Sequence, residues 1–128
     1  MTSLTRQEAR ALLAPQTEEQ IQRQLLGWLK AVCPSAIVFA VPNGEHRNKI
    51  TAAKLKGQGV LPGAPDLVIA HDGVIAFVEV KRPKGRQSPA QIAFQDKCSE
   101  QRLPYGVVRG KGDLKAFLDD IGIRTRAA

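Results

Sequence analysis

Cysteine occurs only twice, at Cys33 and Cys98, and the two histidines, His46 and His71, stand apart from both. No zinc-ligand spacing and no disulfide framework can be built from such a set, so two ordinary thiols in a reducing compartment are expected. No apolar run approaches the ~20 residues that cross a bilayer, and the N-terminus has no charged-then-apolar leader pattern. A soluble, cytoplasmic protein with no membrane partner is the expectation. Aromatic residues are scarce, with one Trp, one Tyr and four Phe. Most of them fall inside apolar runs, which excludes a platform for stacking bases. Acidic residues are outnumbered by 12 to 19, giving a formal charge of +7. That balance suits an anionic partner, because clustered Lys and Arg bind phosphate largely by releasing counterions; an inert basic surface is the alternative.

The 128 residues match the size of one compact domain, with residues 1–16 as an N-terminal extension and 124–128 as a frayed basic tail. Thr5 to Leu13 reads as a short helix with a Thr5/Glu8 capping box, ended by Pro15. Thr17 and Gln20 repeat the capping-box spacing, and the run to about Val32 is helix-periodic with Ile21, Leu25, Leu29 and Val32 as its buried stripe. On that helix Glu18 shares the buried face, while Glu19 points to the side. Acids are welcome in any first helical turn because of the helix dipole, so Glu18 alone proves nothing. Ala36 to Val41 reads as a buried strand closed by Pro42-Asn43-Gly44, and Glu45 to Lys56 as a basic, exposed helix. Gly57, Gly59, Pro62, Gly63 and Pro65 then make an irregular loop. Beyond residue 87, Ser88-Pro89 opens a second long helix, Pro104 to Arg109 supplies a last strand, and Gly112 to Ile121 a closing helix with Asp113 as its cap.

The chemistry concentrates on two strand-like runs, Asp66 to Ala70 and Val74 to Lys81, joined around Asp72-Gly73. Asp-Gly is the strongest short signal for a two-residue type I′ turn. With those two residues as the loop, His71 faces Val74, and counting outward sets Asp66 opposite Glu79. Their Cβ atoms should stand ~4.5–5.5 Å apart on one face, which Lys81 shares by the period of two. Apolar residues on both faces of these strands imply a sheet covered on both sides. Two carboxylates at the rim of a core repel each other and lose hydration unless a cation intervenes. Oxygen donors of this kind suit Mg²⁺ or Mn²⁺. A plain ion cluster of Asp66, Glu79 and Lys81 is the other possibility.

Pro65-Asp66 followed by Glu79-Val80-Lys81 resembles the PD-(D/E)xK signature of restriction-endonuclease-like nucleases. A wider set is more specific: Glu18-Glu19-Gln20-Ile21-Gln22, Pro42-Asn43-Gly44, Gly59-Val60, Gly63-Ala64-Pro65-Asp66, Glu79-Val80-Lys81 and Ser88-Pro89-Ala90-Gln91. In that order these residues resemble the VRR-NUC family, the virus-type replication and repair nucleases, over roughly Thr17 to Phe117. The resemblance implies an α/β fold with an αβββαβ core and a mixed central sheet flanked by helices. It also implies catalytic residues Glu18, Asp66, Glu79 and Lys81, with one or two Mg²⁺ or Mn²⁺ ions held by Asp66, Glu79 and the main-chain carbonyl of Val80, and Glu18 assisting. Gln91 would touch the attacking water or a backbone phosphate, although Ser88 and Gln91 also make a capping box unaided. Arg47, Lys49, Lys54, Lys56, Arg82, Lys84 and Arg86 are candidate phosphate contacts, unless merely solvated. The implied activity is metal-dependent hydrolysis of DNA, similar to that of Holliday-junction resolvases working as homodimers on branched DNA. A monomeric flap-type or nonspecific nuclease, or a binding module of the same fold without catalysis, are the rival expectations.

Overall fold

The computed structural model describes residues 3–42 and 49–127. Two helices come first, α1 (Arg6–Leu13) and α2 (Glu18–Val32). Each begins with the reciprocal capping box expected of it, Thr5 with Glu8 and Thr17 with Gln20. Two otherwise orphaned N–H groups are thereby satisfied at each helix start. Every residue of the α2 stripe is buried: Ile21, Leu25, Leu29 and Val32. Leu25 and Leu29 are 0% and 1% exposed, so each removes a full side chain from water and contributes about 2 kcal/mol.

Strand β1 (Ile37–Ala40) is followed by α3 (Lys49–Gly57), then β2 (Leu67–His71), β3 (Val74–Val80), α4 (Pro89–Glu100), β4 (Tyr105–Val108) and α5 (Lys111–Asp120). The sheet order is β1-β2-β3-β4, with the first two pairings antiparallel and β3-β4 parallel. The parallel pair is joined through α4, as a crossover requires. This is the expected mixed α/β sheet flanked by helices. The Asp72-Gly73 turn has φ of 48° and 79°, both in the left-handed region that a type I′ turn needs. It sets the register His71↔Val74 through Leu67↔Val78. Carried one rung outward, the same register places Asp66 opposite Glu79.

One face of the sheet forms the core. Leu67, Ile69, Ala76, Val78 and Val80 lie there with the α2 stripe, Leu114 and Leu118 of α5, and Ile123. The opposite face corrects the expectation of a sheet covered on both sides. Phe94 of α4 packs edge-on against Phe77, with ring centroids 5.6 Å apart. Farther out, Ile75 is 51% exposed, and on β1 Ile37 and Phe39 are 66% and 51% exposed. β1 is therefore an exposed edge strand rather than a buried one. The basic tail is also less frayed than expected. The Arg126 backbone N–H donates to the Val32 carbonyl at 2.8 Å and its side chain to the Ala31 carbonyl at 2.7 Å, capping the C-terminus of α2. At α5 the cap position belongs to Gly110, and Asp113 lies within the first turn, accepting the Arg109 N–H at 2.9 Å.

Candidate active site

Asp66 enters β2 from a loop that is pressed against α4. At Gly63, with φ of 77°, an added Cβ would lie only 2.2 Å from the Ala90 carbonyl oxygen. Glycine is required there twice over, by conformation and by space. The Asp66 carboxylate is then aimed by the sheet itself: its Oδ2 accepts the Val80 backbone N–H at 2.7 Å. Such charge-assisted bonds are short and directional, so the carboxylate has a fixed heading. Val80 thus enters the site through its N–H, while its side chain is fully buried.

Glu79 is 1% exposed. Its Oε1 accepts from the Gln91 side-chain amide at 3.0 Å; Oε2 is buried without a donor, and Glu79 can bond the adjacent Asp66 carboxyl only through a shared proton. Burial above all pushes its carboxyl up to about 9, the neighbouring Asp66 carboxyl adds to the rise, Lys81 opposes it and Glu18 contributes a little more. A buried carboxyl with one oxygen unmatched is costly in a folded chain and calls for a proton or a cation.

Lys81 supplies the local positive charge. The residue is 7% exposed, and its Nζ lies 3.7 Å from Glu18 Oε1 and 3.9 Å from Glu79 Oε1. Glu18 reaches the site from the first turn of α2, whereas its neighbour Glu19 turns away and bridges Arg23 at 2.8 Å on the surface. Glu18 meets Lys81 rather than joining the carboxylate pair. Among the described residues no group of three or more His, Cys, Asp or Glu side chains is placed to hold a metal. Asp66 and Glu79 bring together two carboxyl groups, oxygen donors of the kind that suits a hard divalent cation.

Gln91 makes the capping box expected of it and also bonds a side chain of the site. Its Oε1 accepts the Ser88 N–H at 2.8 Å, completing the cap of α4, while its Nε2 holds Glu79. The candidate phosphate contacts divide by place. Arg82, Lys84 and Arg86 are exposed on the loop that directly follows Lys81, and Lys54 and Lys56 are exposed on α3. Arg47 lies outside the described residues, and Lys49 is described only as the first residue of α3.

Two contributors have no sequence signal. Tyr105, at the start of β4, lies near Gln87, whose side-chain amide approaches its hydroxyl at 3.4 Å. Burial first, then the charge of Glu79, pushes its phenol up to about 12, so it stays a protonated donor. Arg109 reaches back across the end of the sheet to the loop after Lys81.

The chain is thus a mixed α/β domain with an acidic, lysine-bearing rim. Two solved structures share the architecture, each 22% identical in sequence. One, described as a VRR-NUC domain protein, has a TM-score of 0.68 and covers 84% of this chain and 89% of its own. The other, described as a VRR-NUC domain, has a TM-score of 0.56 and covers 80% of this chain and 94% of its own. At such identity the likeness speaks for the fold alone. The chain belongs to the VRR-NUC family, whose domain model matches residues 5–112. Membership gives it a nuclease-type function, with DNA as the partner that such a domain suggests. Comparison with curated proteins gives no match. Among the described residues no helix is long and apolar enough to cross a membrane.

Proposed function

We propose that the chain is a Mg²⁺- or Mn²⁺-dependent endonuclease that hydrolyses phosphodiester bonds in branched DNA, in the manner of a Holliday-junction resolvase, and works as a homodimer. The observation that carries the chemistry is the pairing of a directed Asp66 with a buried Glu79 whose Oε2 is unmatched, beside a buried lysine. In the metal-free fold Glu79 keeps a proton beside Asp66, and a bound cation would take that proton's place. Asp66 and Glu79 would hold the cation, with the Val80 carbonyl and Glu18 nearby to assist it or its waters. When bound, the ion lowers the pKa of water and offsets charge on the phosphate.

The chain's own groups do the rest. Val80 fixes Asp66, and Gln91 fixes Glu79, so the two oxygen donors cannot swing apart. Lys81 is held by Glu18 and Glu79 in a position to orient a water and to offset negative charge developing on the phosphate oxygens. Arg82, Lys84 and Arg86 extend positive charge outward from that point, along which a phosphate backbone can lie. With few aromatics and no stacking platform, recognition rests on backbone shape, which suits a structure-specific enzyme. The homodimer follows from arithmetic: one site per chain and two strands to cut.

The test replaces Asp66 by Asn and measures DNA binding beside Mg²⁺- and Mn²⁺-dependent cleavage. Binding should persist while cleavage falls by several orders of magnitude; cleavage at the parental rate would reject the site. Four-way junctions, flaps and plain duplex, assayed with light scattering, test the finer claim. A monomer that cuts all three alike would make this a nonspecific nuclease, and a parent that binds without cutting would make it a binding module.

A further inference from the structure

The loop that leaves the active site is held in shape by a residue from the neighbouring strand, just past the end of β4. Arg109 donates from Nε to the Pro83 carbonyl at 3.2 Å and from a terminal nitrogen to the Gly85 carbonyl at 2.9 Å. Its own backbone N–H is taken by Asp113 at 2.9 Å, which ties it to the start of α5. Inside the loop, the Gly85 N–H donates to the Arg82 carbonyl at 2.9 Å, making a tight turn. An added Cβ at Gly85 would meet the Arg82 backbone at 3.3 Å and Lys81 Cδ at 3.6 Å, so the turn packs directly on the catalytic lysine's stem. At the far end, the Gln87 side-chain amide donates to Gln95 Oε1 at 2.9 Å. Three exposed cations, Arg82, Lys84 and Arg86, alternate along a segment braced at its middle and its end.

We propose that Arg109 is a positioning residue for DNA: its guanidinium spans two loop carbonyls and so presents Arg82, Lys84 and Arg86 as a preformed phosphate track leading to Lys81. The proposal rests on the DNA substrate assigned under the proposed function. Two features support it. A planar guanidinium can serve two carbonyls at once, which an ammonium of similar reach cannot. And three cations on a slack loop would have to be ordered when DNA binds, an entropic cost that a braced loop has already met. Arg109 therefore adds little charge to the contact itself and much to its geometry.

The experiment compares the parent with R109K, R109M, a loop variant in which Arg82, Lys84 and Arg86 are all serine, and R109M in that loop variant. Without DNA, trypsin cleavage after Lys84 and Arg86 should be faster in both Arg109 variants than in the parent. With DNA, R109M and R109K should both raise KM several-fold and leave kcat within about twofold, because the chemistry at Asp66 and Glu79 is untouched. The slope of log affinity against log salt should fall by up to about 3 in the loop variant, one step of roughly 0.9 for each lost phosphate contact. In that background R109M should weaken binding no further.

Failure has separate signatures. If R109K binds like the parent, or R109M weakens the loop variant as much as it weakens the parent, Arg109 acts by its own charge on phosphate and the positioning role is overturned. Unchanged trypsin sensitivity, or a fall in kcat at constant KM, overturns it too. A parent that binds no DNA at all overturns the nuclease reading, and this inference with it.

Discussion

Replacing Glu79 by Gln should make the metal-free protein more stable at alkaline pH, an unusual outcome for a change at a candidate catalytic carboxylate. In the fold burial pushes this carboxyl up to about 9 from its ordinary value of 4.5. The folded state therefore binds the proton more tightly than the unfolded chain, and stability is lost as pH rises from about 4.5 to about 9. Each pH unit in that window costs up to about 1.4 kcal/mol, so at pH 8 the ceiling is about 5 kcal/mol. Water entry and relaxation around a rim carboxyl should halve this, leaving about 2 to 3 kcal/mol. Glutamine matches the protonated carboxyl in shape, can accept the Gln91 amide at one oxygen and can offer a hydrogen towards Asp66. Urea unfolding in the presence of a chelator, followed through the emission of Trp28, measures the difference. The two proteins should be equally stable near pH 5, and E79Q should gain on the parent steadily up to pH 8. Mg²⁺ at pH 8 should then stabilise the parent and leave E79Q unmoved. A parent whose stability is flat between pH 5 and 8, or an E79Q that is the weaker protein at pH 8, would refute the reasoning.

Glycine positions give an opposed pair: Gly63→Ala, which drives a Cβ into the Ala90 carbonyl, should cost more than about 2 kcal/mol in thermal unfolding. Gly27→Ala, in the interior of α2 with open space around it, should instead stabilise by about 0.5–1 kcal/mol. Gln91→Ala removes both the brace on Glu79 and half of the α4 capping box, so about 1 to 2 kcal/mol of stability should go. Cleavage should fall as well, whereas Glu8→Ala, which breaks the corresponding capping box on α1, should cost stability and spare activity.

What the sequence made legible was whatever depends on neighbours in the chain. Both N-terminal capping boxes, the four-residue stripe of α2 and the Asp72-Gly73 reversal are set within one turn of helix or one hairpin, and each stands where the spacing places it. Much of the candidate site inherits that success, because the hairpin register alone brings Asp66 and Glu79 together. The misses share one cause. Ile37 and Phe39 read as buried because a short apolar run carries no information on whether its strand lies at the edge of the sheet. Arg126 and Arg109 bond to carbonyls 95 and 26 residues away, contacts that only the finished fold can make. Gln91 caps α4 as its spacing with Ser88 foretells, while its bond to Glu79 is a contact that only the finished fold can make.

The hairpin also acts as a counting device. Both of its strands are apolar on either side, so a single residue added to or lost from one arm would leave its hydropathy nearly unchanged and still reverse which way every later side chain points. Such a slip would turn Asp66 or Glu79 towards the packed core, where a carboxylate has no place, and only paired changes of two residues in each arm would keep the two acids abreast on their own face. Length in this stretch is therefore held more tightly than identity: drift in Val, Ile or Ala should be tolerated here far better than any lone insertion or deletion.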